Sequence, residues 1–170
     1  LKKVNNKNIM STTPVRFSYL KTNTEVSQRP VIVGSGPAGL FCAYYLVQAG
    51  LKPLIIERGE DVENRLKTVE KFWETGELKK ESNVQFGEGG AGTFSDGKLN
   101  TLVKDTKGRN QEVLKIFVKF GAPEEILYQQ KPHLGTDMLI GIVKNMRNYI
   151  KNAGGEFCFS SKMTDIQIEN

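Results

Sequence analysis

A six-residue run, GSGPAG at positions 34–39, constrains the fold of this sequence more than any other feature. The β-branched run 31–33 precedes it, and apolar residues at helical spacing follow it as far as residue 48. A second apolar run occupies residues 53–56. Glycines between a strand and a helix allow the tight connection of a β-α-β unit, in which the two strands are parallel. The pattern predicts an α/β protein with a buried parallel sheet.

The GxGxxG spacing gives this turn a chemical meaning. Gly34 permits the tight turn, Gly36 lets a pyrophosphate approach the backbone, and Gly39 lets the helix pack closely on the strands. The start of the helix presents free N–H groups and its positive dipole end to phosphates. The run therefore predicts a Rossmann-like dinucleotide-binding domain. Its predicted cofactor-binding residues are Gly34, Gly36, Pro37, Ala38 and Gly39.

Glu57 is the predicted ribose-binding acid. It follows the second apolar run, 18 residues after Gly39, close to the roughly 20 residues typical of the motif. A carboxylate there accepts hydrogen bonds from ribose hydroxyls and repels the 2′-phosphate of NADP, although the adjacent Arg58 is able to reach a phosphate. Because FAD and NAD share the ADP half that this unit binds, the first motif leaves both cofactors open.

A second glycine-rich stretch spans residues 82–100, with the sequence SNVQFGEGGAGTFSDGKLN. Its densest part, residues 87–97, is called the second glycine segment below. Its glycines let the backbone run close to a ligand, and its Thr, Ser, Asp and Lys side chains offer polar contacts. FAD needs more contacts than NAD beyond the pyrophosphate, because a ribityl chain and a large ring must be held. This stretch favours FAD.

With these motifs the sequence resembles the largely uncharacterised FAD-dependent dehydrogenases, a branch of the flavoproteins with two dinucleotide-binding domains. Four stretches carry the resemblance: residues 29–39, 56–59, 82–100 and 131–137. It implies that Gly34, Gly36 and Gly39 face the FAD pyrophosphate, that Glu57 holds the adenosine ribose, and that Arg58 lies near the adenine or the phosphates. It also implies that the backbone at Met163 meets the adenine edge. Four residues of the second glycine segment are implied to approach the pyrophosphate and the ribityl chain: Gly90, Ala91, Gly92 and Thr93.

The same resemblance suggests how the chain is organised. Residues 1–29 are expected to be a flexible basic leader or the tail of a preceding domain, and residues 30–170 the FAD-binding domain. Similar proteins return to this domain through a late strand, so the sheet is expected to be truncated here. The predicted function is the N-terminal FAD-binding portion of an oxidoreductase of unknown substrate, with NAD(P)H as one candidate electron donor.

Charge and cysteine usage argue against several other functions. The net charge of +5 arises in residues 1–30, and the other 140 residues hold 18 of the 24 basic and 18 of the 19 acidic side chains. This distribution indicates a solvated tail rather than a nucleic-acid interface. No apolar run approaches the length of a membrane span. Cys42 and Cys158 are predicted core thiols of a cytoplasmic protein, and a single histidine argues against a metal site.

Further elements are predicted from periodicity and capping signals. Helices are expected over 61–76, over 112–120 and from 136 to about 153, the last capped by Thr136. Strands are expected over 156–160 and 163–169. Phe72 and Trp73 are predicted to be core residues. His133 is interpreted as bracing a helix or as a proton donor near the flavin, and Lys98 as a charge near the flavin or as a surface lysine.

Two alternatives to a flavin domain remain from the sequence. One is the NAD-binding domain of an ordinary dehydrogenase, which does not account for the second glycine segment. The other is a catalytically inactive, truncated nucleotide-binding module. Bound flavin would distinguish the first interpretation from both alternatives.

Overall fold

The computed structural model describes residues 9, 13, 15–19, 26–99, 101 and 103–168. Three short parallel strands form one sheet in the order β1-β2-β3. In register, Val33 pairs with Ile56, and Ile56 pairs with Cys158. The arrangement confirms the predicted Rossmann-like α/β class with a parallel sheet. The strands are β1 (Val31–Val33), β2 (Leu54–Ile56) and β3 (Glu156–Cys158).

Four α-helices connect and cover these strands. They are α1 (Pro37–Gln48), α2 (Val62–Thr75), α3 (Arg109–Lys119) and α4 (Thr136–Asn152), with short 3₁₀ helices at Ala91–Phe94 and Glu124–Leu127. Both ends of α2 agree with the predicted range 61–76. The Asp61 carboxylate accepts the Asn64 N–H at 3.1 Å, and Gly76 ends the helix at φ 74°.

Two helix starts differ in detail from the prediction. Helix α3 begins three residues before the expected residue 112, because the Asp105 carboxylate accepts the N–H groups of Arg109 (2.7 Å) and Gln111 (3.2 Å). Helix α4 begins at Thr136, but its N-cap is Gly135, and none of the side chains that the structure describes caps it. The predicted capping role of Thr136 is therefore wrong.

The strand predicted over 163–169 is also wrong. Residues 163–168 form no strand, and residue 169 lies outside the described residues. Ile166 and Ile168, whose alternation suggested the strand, are 64% and 86% exposed. A strand needs a neighbour that takes up its backbone N–H and C=O groups, and the described residues bring none beside this stretch.

The core lies between one face of the sheet and helices α1 and α4. Ile32 and Ile55 point into it from the sheet, and Leu40, Ala43 and Ile142 come from the helices. Burial alternates along β1, so that its central residue is buried and its two flanking residues are exposed. Among the described residues, the predicted burial of the sheet therefore holds for one of its two faces.

Three further burial predictions are wrong for related reasons. Cys158 pairs in register with the row that contains Val33, on the open face of the sheet, and it is exposed. Cys42 is exposed on α1, between the buried Leu40 and Ala43. Trp73 is 62% exposed on α2, whose buried side chains are Val62, Arg65 and Val69.

Part of the predicted leader packs on the domain. Within residues 15–19, the Phe17 and Tyr19 rings lie 6.0 Å and 5.1 Å from the Tyr45 ring on α1, measured between centroids. Most of residues 1–25 lies outside the described residues. The flexibility predicted for residues 1–29 stays a prediction.

Candidate functional site

The turn between β1 and α1 forms the centre of the site. Gly34 has a left-handed backbone, φ 93°, and donates its N–H to the Ile56 carbonyl at 2.7 Å. Pro37 is the first residue of α1, where a missing N–H costs no hydrogen bond. A Cβ on Gly39 would overlap the Gly34 carbonyl oxygen, so only glycine lets the helix lie this close to the turn. These are the turn and the close packing that the spacing predicts.

Gly36 has a different reason to be glycine. It is the N-cap of α1, with φ −66° and ψ −176°, a conformation open to any residue. A Cβ placed on it would meet only the Gly90 Cα, at 3.9 Å. Neither the backbone nor the packing therefore requires glycine here. Its missing side chain leaves the N-terminus of α1 open to a close approach.

The second glycine segment docks directly on this turn. The Gly89 N–H donates to the Ser35 carbonyl at 2.9 Å, and the Glu88 N–H donates to the Glu60 carbonyl at 3.0 Å. A Cβ on Gly90 would lie 3.1 Å from the Pro37 Cδ. Two glycine-rich stretches about fifty residues apart in sequence thus meet at the start of one helix.

A cavity of about 320 Å³ opens beside this meeting point. Its size falls in the range of small-molecule sites. Both glycine-rich stretches, the end of β2 and the segment after β3 contribute to its wall. Six of the residues predicted from sequence line it: Gly34, Gly36, Glu57, Arg58, Gly90 and Met163.

The other predicted residues lie around this cavity without lining it. Pro37, Gly92 and Thr93 line a second, mostly apolar cavity of about 160 Å³ between α1, α3 and α4. Ala38 and Ala91 line neither cavity. They are exposed at the starts of α1 and of the first 3₁₀ helix, respectively. The Gly39 backbone lies in the first turn of α1.

Glu57 is held in a defined position at the end of β2. Its carboxylate is 4% exposed and accepts the Ser35 N–H (2.7 Å), the Ser35 hydroxyl (2.9 Å) and the Gly59 N–H (2.9 Å). An ionised carboxylate accepts about four hydrogen bonds, so capacity remains for one further donor from the cavity. This geometry suits a ligand hydroxyl.

Arg58 forms one wall of the cavity together with Phe86. Its guanidinium lies 3.9 Å from the Phe86 ring centroid and pairs with Glu81. Lys162, from the segment after β3, lies 3.1 Å from the other Glu81 oxygen. Hydrogen bonds from Arg58 and Lys162 lower the pKa of Glu81.

Arg65 is the main residue that the sequence interpretation missed. It is fully buried, and its guanidinium donates to five backbone carbonyls. They belong to Asn83 (2.8 Å), Val84 (3.1 Å), Gly87 (3.4 Å), Glu88 (2.7 Å) and Gly90 (2.9 Å). A signal was present, because Val62, Arg65 and Val69 occur at helical spacing and place a charged residue on the buried face of α2.

Glu88 was missed as well. It is fully buried, and its Oε2 accepts the Val62 N–H (2.8 Å) and a hydrogen bond from Arg147 of α4 (2.6 Å). Its Oε1 has no hydrogen-bond partner among the described residues. Burial raises the pKa of Glu88 to about 7, against the lowering effect of Arg147 and the Val62 N–H. Arg147 also binds both Glu63 oxygens, each at 2.8 Å.

The predicted candidates His133 and Lys98 lie opposite each other in an antiparallel bridge at the end of the second glycine segment, and the backbone hydrogen bonds of this bridge are made by their neighbours. The Leu134 N–H donates to the Gly97 carbonyl at 2.9 Å, and the Leu99 N–H donates to the Pro132 carbonyl at 3.0 Å. Lys98 is exposed and pairs with Asp96 at 2.8 Å. Neither side chain lines the larger cavity.

The described residues hold no candidate metal centre and no candidate membrane span. No group of three or more His, Cys, Asp or Glu side chains there is arranged to hold a metal ion. No helix in that part of the chain has the length and apolar character needed to cross a bilayer.

A parallel sheet whose first turn carries GxGxxG, and whose second strand is followed directly by an acid, defines a nucleotide-binding Rossmann-like domain. Residues 32–87 match the family model described as an NAD(P)-binding Rossmann-like domain. The matched region runs from β1 to the start of the second glycine segment.

Two kinds of relatives are similar to this chain. The chain is 52% identical to an uncharacterized protein of Clostridium beijerinckii, in a match that covers 100% of the chain and 32% of that protein. The chain thus spans about a third of the length of this relative. Thiamine thiazole synthases of Saccharolobus islandicus and Saccharolobus solfataricus are 68% identical over 28 residues, which is 16% of this chain and 10% of each synthase.

Proposed function

We propose that this chain is the FAD-binding portion of a flavin-dependent oxidoreductase. One observation carries the proposal: both glycine-rich stretches meet at the N-terminus of α1, beside a cavity that also contains Glu57. A domain that binds NAD needs only one such stretch, which holds the pyrophosphate. A second stretch, in contact with the first, suits a cofactor that extends further.

The residues fit FAD in an ordered way. Gly36 and Gly90 would admit the pyrophosphate, and free N–H groups in the first turn of α1 would bind its oxygens. Glu57 would accept a ribose hydroxyl, and the Met163 backbone would meet the adenine edge. Arg58 would lie near the adenine or the phosphates, and the ribityl chain would follow the 3₁₀ helix through Ala91, Gly92 and Thr93.

FAD supplies the redox chemistry when bound, because the flavin ring accepts and donates hydride or single electrons. The residues of this chain bind and orient the nucleotide and give it a partly desolvated site. The electron donor, for which NAD(P)H is a candidate, and the substrate belong to the proposal for the whole protein.

The second candidate is an NAD-binding domain of a dehydrogenase. The matched family description names NAD(P), and this observation favours it. One feature favours FAD instead, because the second glycine segment is left without a role if the ligand ends at a nicotinamide ribose. Glu57 disfavours NADP, whose 2′-phosphate its carboxylate would repel, but it does not distinguish NAD from FAD.

Ligand titration of the purified chain tests the proposal. FAD should bind more tightly than FMN, which lacks the adenosine half, and more tightly than NADH. Quenching of flavin fluorescence and equilibrium dialysis give the dissociation constants. Binding of NADH without FAD would establish the second candidate, and binding of neither would indicate an inactive module.

A glycine variant tests the placement of the phosphates within the same titration. Gly36→Ala should weaken FAD binding by roughly tenfold or more, because its methyl group enters the space left for the pyrophosphate. Gly141→Ala is the matched control, since Gly141 lies in α4 and its added Cβ has no neighbour within 4 Å. Equal FAD affinity of both variants and the parent would contradict this placement.

A further inference from the structure

Arg65 is a buried cation solvated by the backbone rather than by a carboxylate. None of the ion pairs within 4.0 Å among the described residues includes it. Five carbonyl oxygens surround its guanidinium, and the Phe94 ring lies 4.7 Å from its central carbon. Burial lowers the pKa of Arg65 to about 10, so the side chain stays charged at neutral pH.

These bonds set the direction of the N–H groups in the second glycine segment. A trans peptide points its C=O and N–H in opposite directions. The Glu88 carbonyl points to Arg65, and the Gly89 N–H of the same peptide binds the Ser35 carbonyl of the first turn. Arg65 therefore fixes the contact through which the two glycine-rich stretches meet.

The next peptides extend this pattern toward the exposed side. The Gly90 carbonyl also points to Arg65, so the Ala91 N–H points away from it. Ala91 begins a 3₁₀ helix and is exposed, and its N–H has no backbone acceptor among the described residues. This N–H is available to an anion, with the charge of Arg65 behind it.

Gly87 shows how closely the segment is fitted to this side chain. Its backbone has φ 121°, and a Cβ there would lie 2.5 Å from the Arg65 Cδ and 2.9 Å from its Nε. A glycine is needed at this point for Arg65 to reach the carbonyls beyond it.

We infer that Arg65 is a positioning residue for the nucleotide: it orients the second glycine segment so that loop amides meet the pyrophosphate, without itself touching the ligand. The inference rests on the proposed FAD function. It predicts that Arg65 affects ligands that reach the second glycine segment and not those confined to the first turn and Glu57.

The test compares FAD and AMP binding to three variants of the purified chain. Arg65→Lys keeps the positive charge but loses the guanidinium that binds five carbonyls, and Arg65→Met loses both the charge and these hydrogen bonds. Lys67→Met is the control, because it removes an exposed charge of the same helix. We expect FAD affinity to fall about tenfold in Arg65→Lys and further in Arg65→Met, as expected for lost hydrogen bonds to a charged group. AMP affinity should stay within about twofold in Arg65→Lys, and Lys67→Met should bind both ligands like the parent.

Amide hydrogen exchange gives a readout that needs no ligand. The Gly89 amide, which donates to the Ser35 carbonyl, should exchange faster in Arg65→Lys, while the amides of α1 and α4 should not. Unchanged FAD affinity in both Arg65 variants, or an equal loss of FAD and AMP binding in Arg65→Lys, would overturn the inference and leave the FAD proposal intact. A parent chain that binds no FAD would overturn both.

Discussion

Single glycines in this chain have roles that the structure separates. Gly39 is required because a side chain there would collide with the Gly34 carbonyl, within the protein itself. Gly36 has room for a side chain and lies beside the cavity. Gly141 has room too, but it lies within α4, away from the larger cavity. The same substitution at these positions therefore reports on packing, on ligand approach and on helix propensity.

Gly39→Ala should destabilise the fold by several kcal/mol, on the order of 3, because the backbone of the turn must move to admit a methyl group. Gly141→Ala should raise the free energy of unfolding by about 0.5–1 kcal/mol, because alanine is a better helix former than glycine. Urea unfolding followed by circular dichroism measures both. A Gly39→Ala chain as stable as the parent would show that α1 does not pack as described.

At the scale of elements, one ion cluster joins α2, the second glycine segment and α4. Arg147 of α4 binds Glu88 in that segment and Glu63 at the start of α2. Although burial alone would raise the pKa of Glu63, hydrogen bonds from Arg147 and Lys144 lower it to about 2. The charges of Glu88 and Glu63 raise the pKa of Arg147, against the effect of its burial. The cluster is buried at Glu88 and exposed at Lys144.

One variant of Arg147 and one variant of Lys144 separate the contribution of the buried half of this cluster from that of the exposed half. Arg147→Met should cost about 3–5 kcal/mol of unfolding free energy at pH 8, because it leaves the Glu88 charge buried without a partner. Lys144→Met, which also removes a cation near Glu63, should change it by less than about 1 kcal/mol.

The loss in Arg147→Met should shrink at pH 5, below the raised pKa of Glu88, where that carboxyl is protonated and needs no counter-charge. Denaturant unfolding at the two pH values measures this. Equal losses for both variants at pH 8 would mean that the Arg147–Glu88 pair does not couple α4 to the loop.

At the scale of the whole molecule, the sheet is packed on one face within the described residues. Ile32 and Ile55 are buried against α1 and α4, whereas Val31 and Val33 are more than half exposed. The chain spans about a third of the length of its relative from Clostridium beijerinckii. Stability of this chain should therefore depend strongly on one side of the strands and weakly on the other.

Ile55→Ala should cost about 2–5 kcal/mol of unfolding free energy, since the side chain is fully buried and leaves a cavity. Val33→Ala, one strand away on the opposite face, should cost less than about 1 kcal/mol because it removes partly hydrated methyl groups. Thermal and urea unfolding of the two variants measure the difference. Similar losses would show that the open face is packed in solution.

Local patterns in the sequence were enough to predict β1, α1, β2 and both ends of α2. The turn glycines, the cap at Asp61 and the acid after β2 act over a few residues, so their spacing carries the information. The sequence also predicted that Gly34, Gly36, Glu57 and Gly90 contact the same cofactor, and in the structure all four line one cavity.

Only the tertiary structure decided the remainder. Burial depends on which elements pack together, so the exposure of Trp73 and Cys158 was not visible in local periodicity. Helical spacing puts Arg65 on the buried face of α2, but only the tertiary structure brings the five backbone carbonyls to its guanidinium. Residues 163–168 alternate like a strand, yet no neighbour in the described part of the chain supplies the backbone partners that a strand needs. The contact between Ser35 and Gly89 likewise joins residues far apart in sequence, and it depends on how α2 and α4 hold the intervening loop.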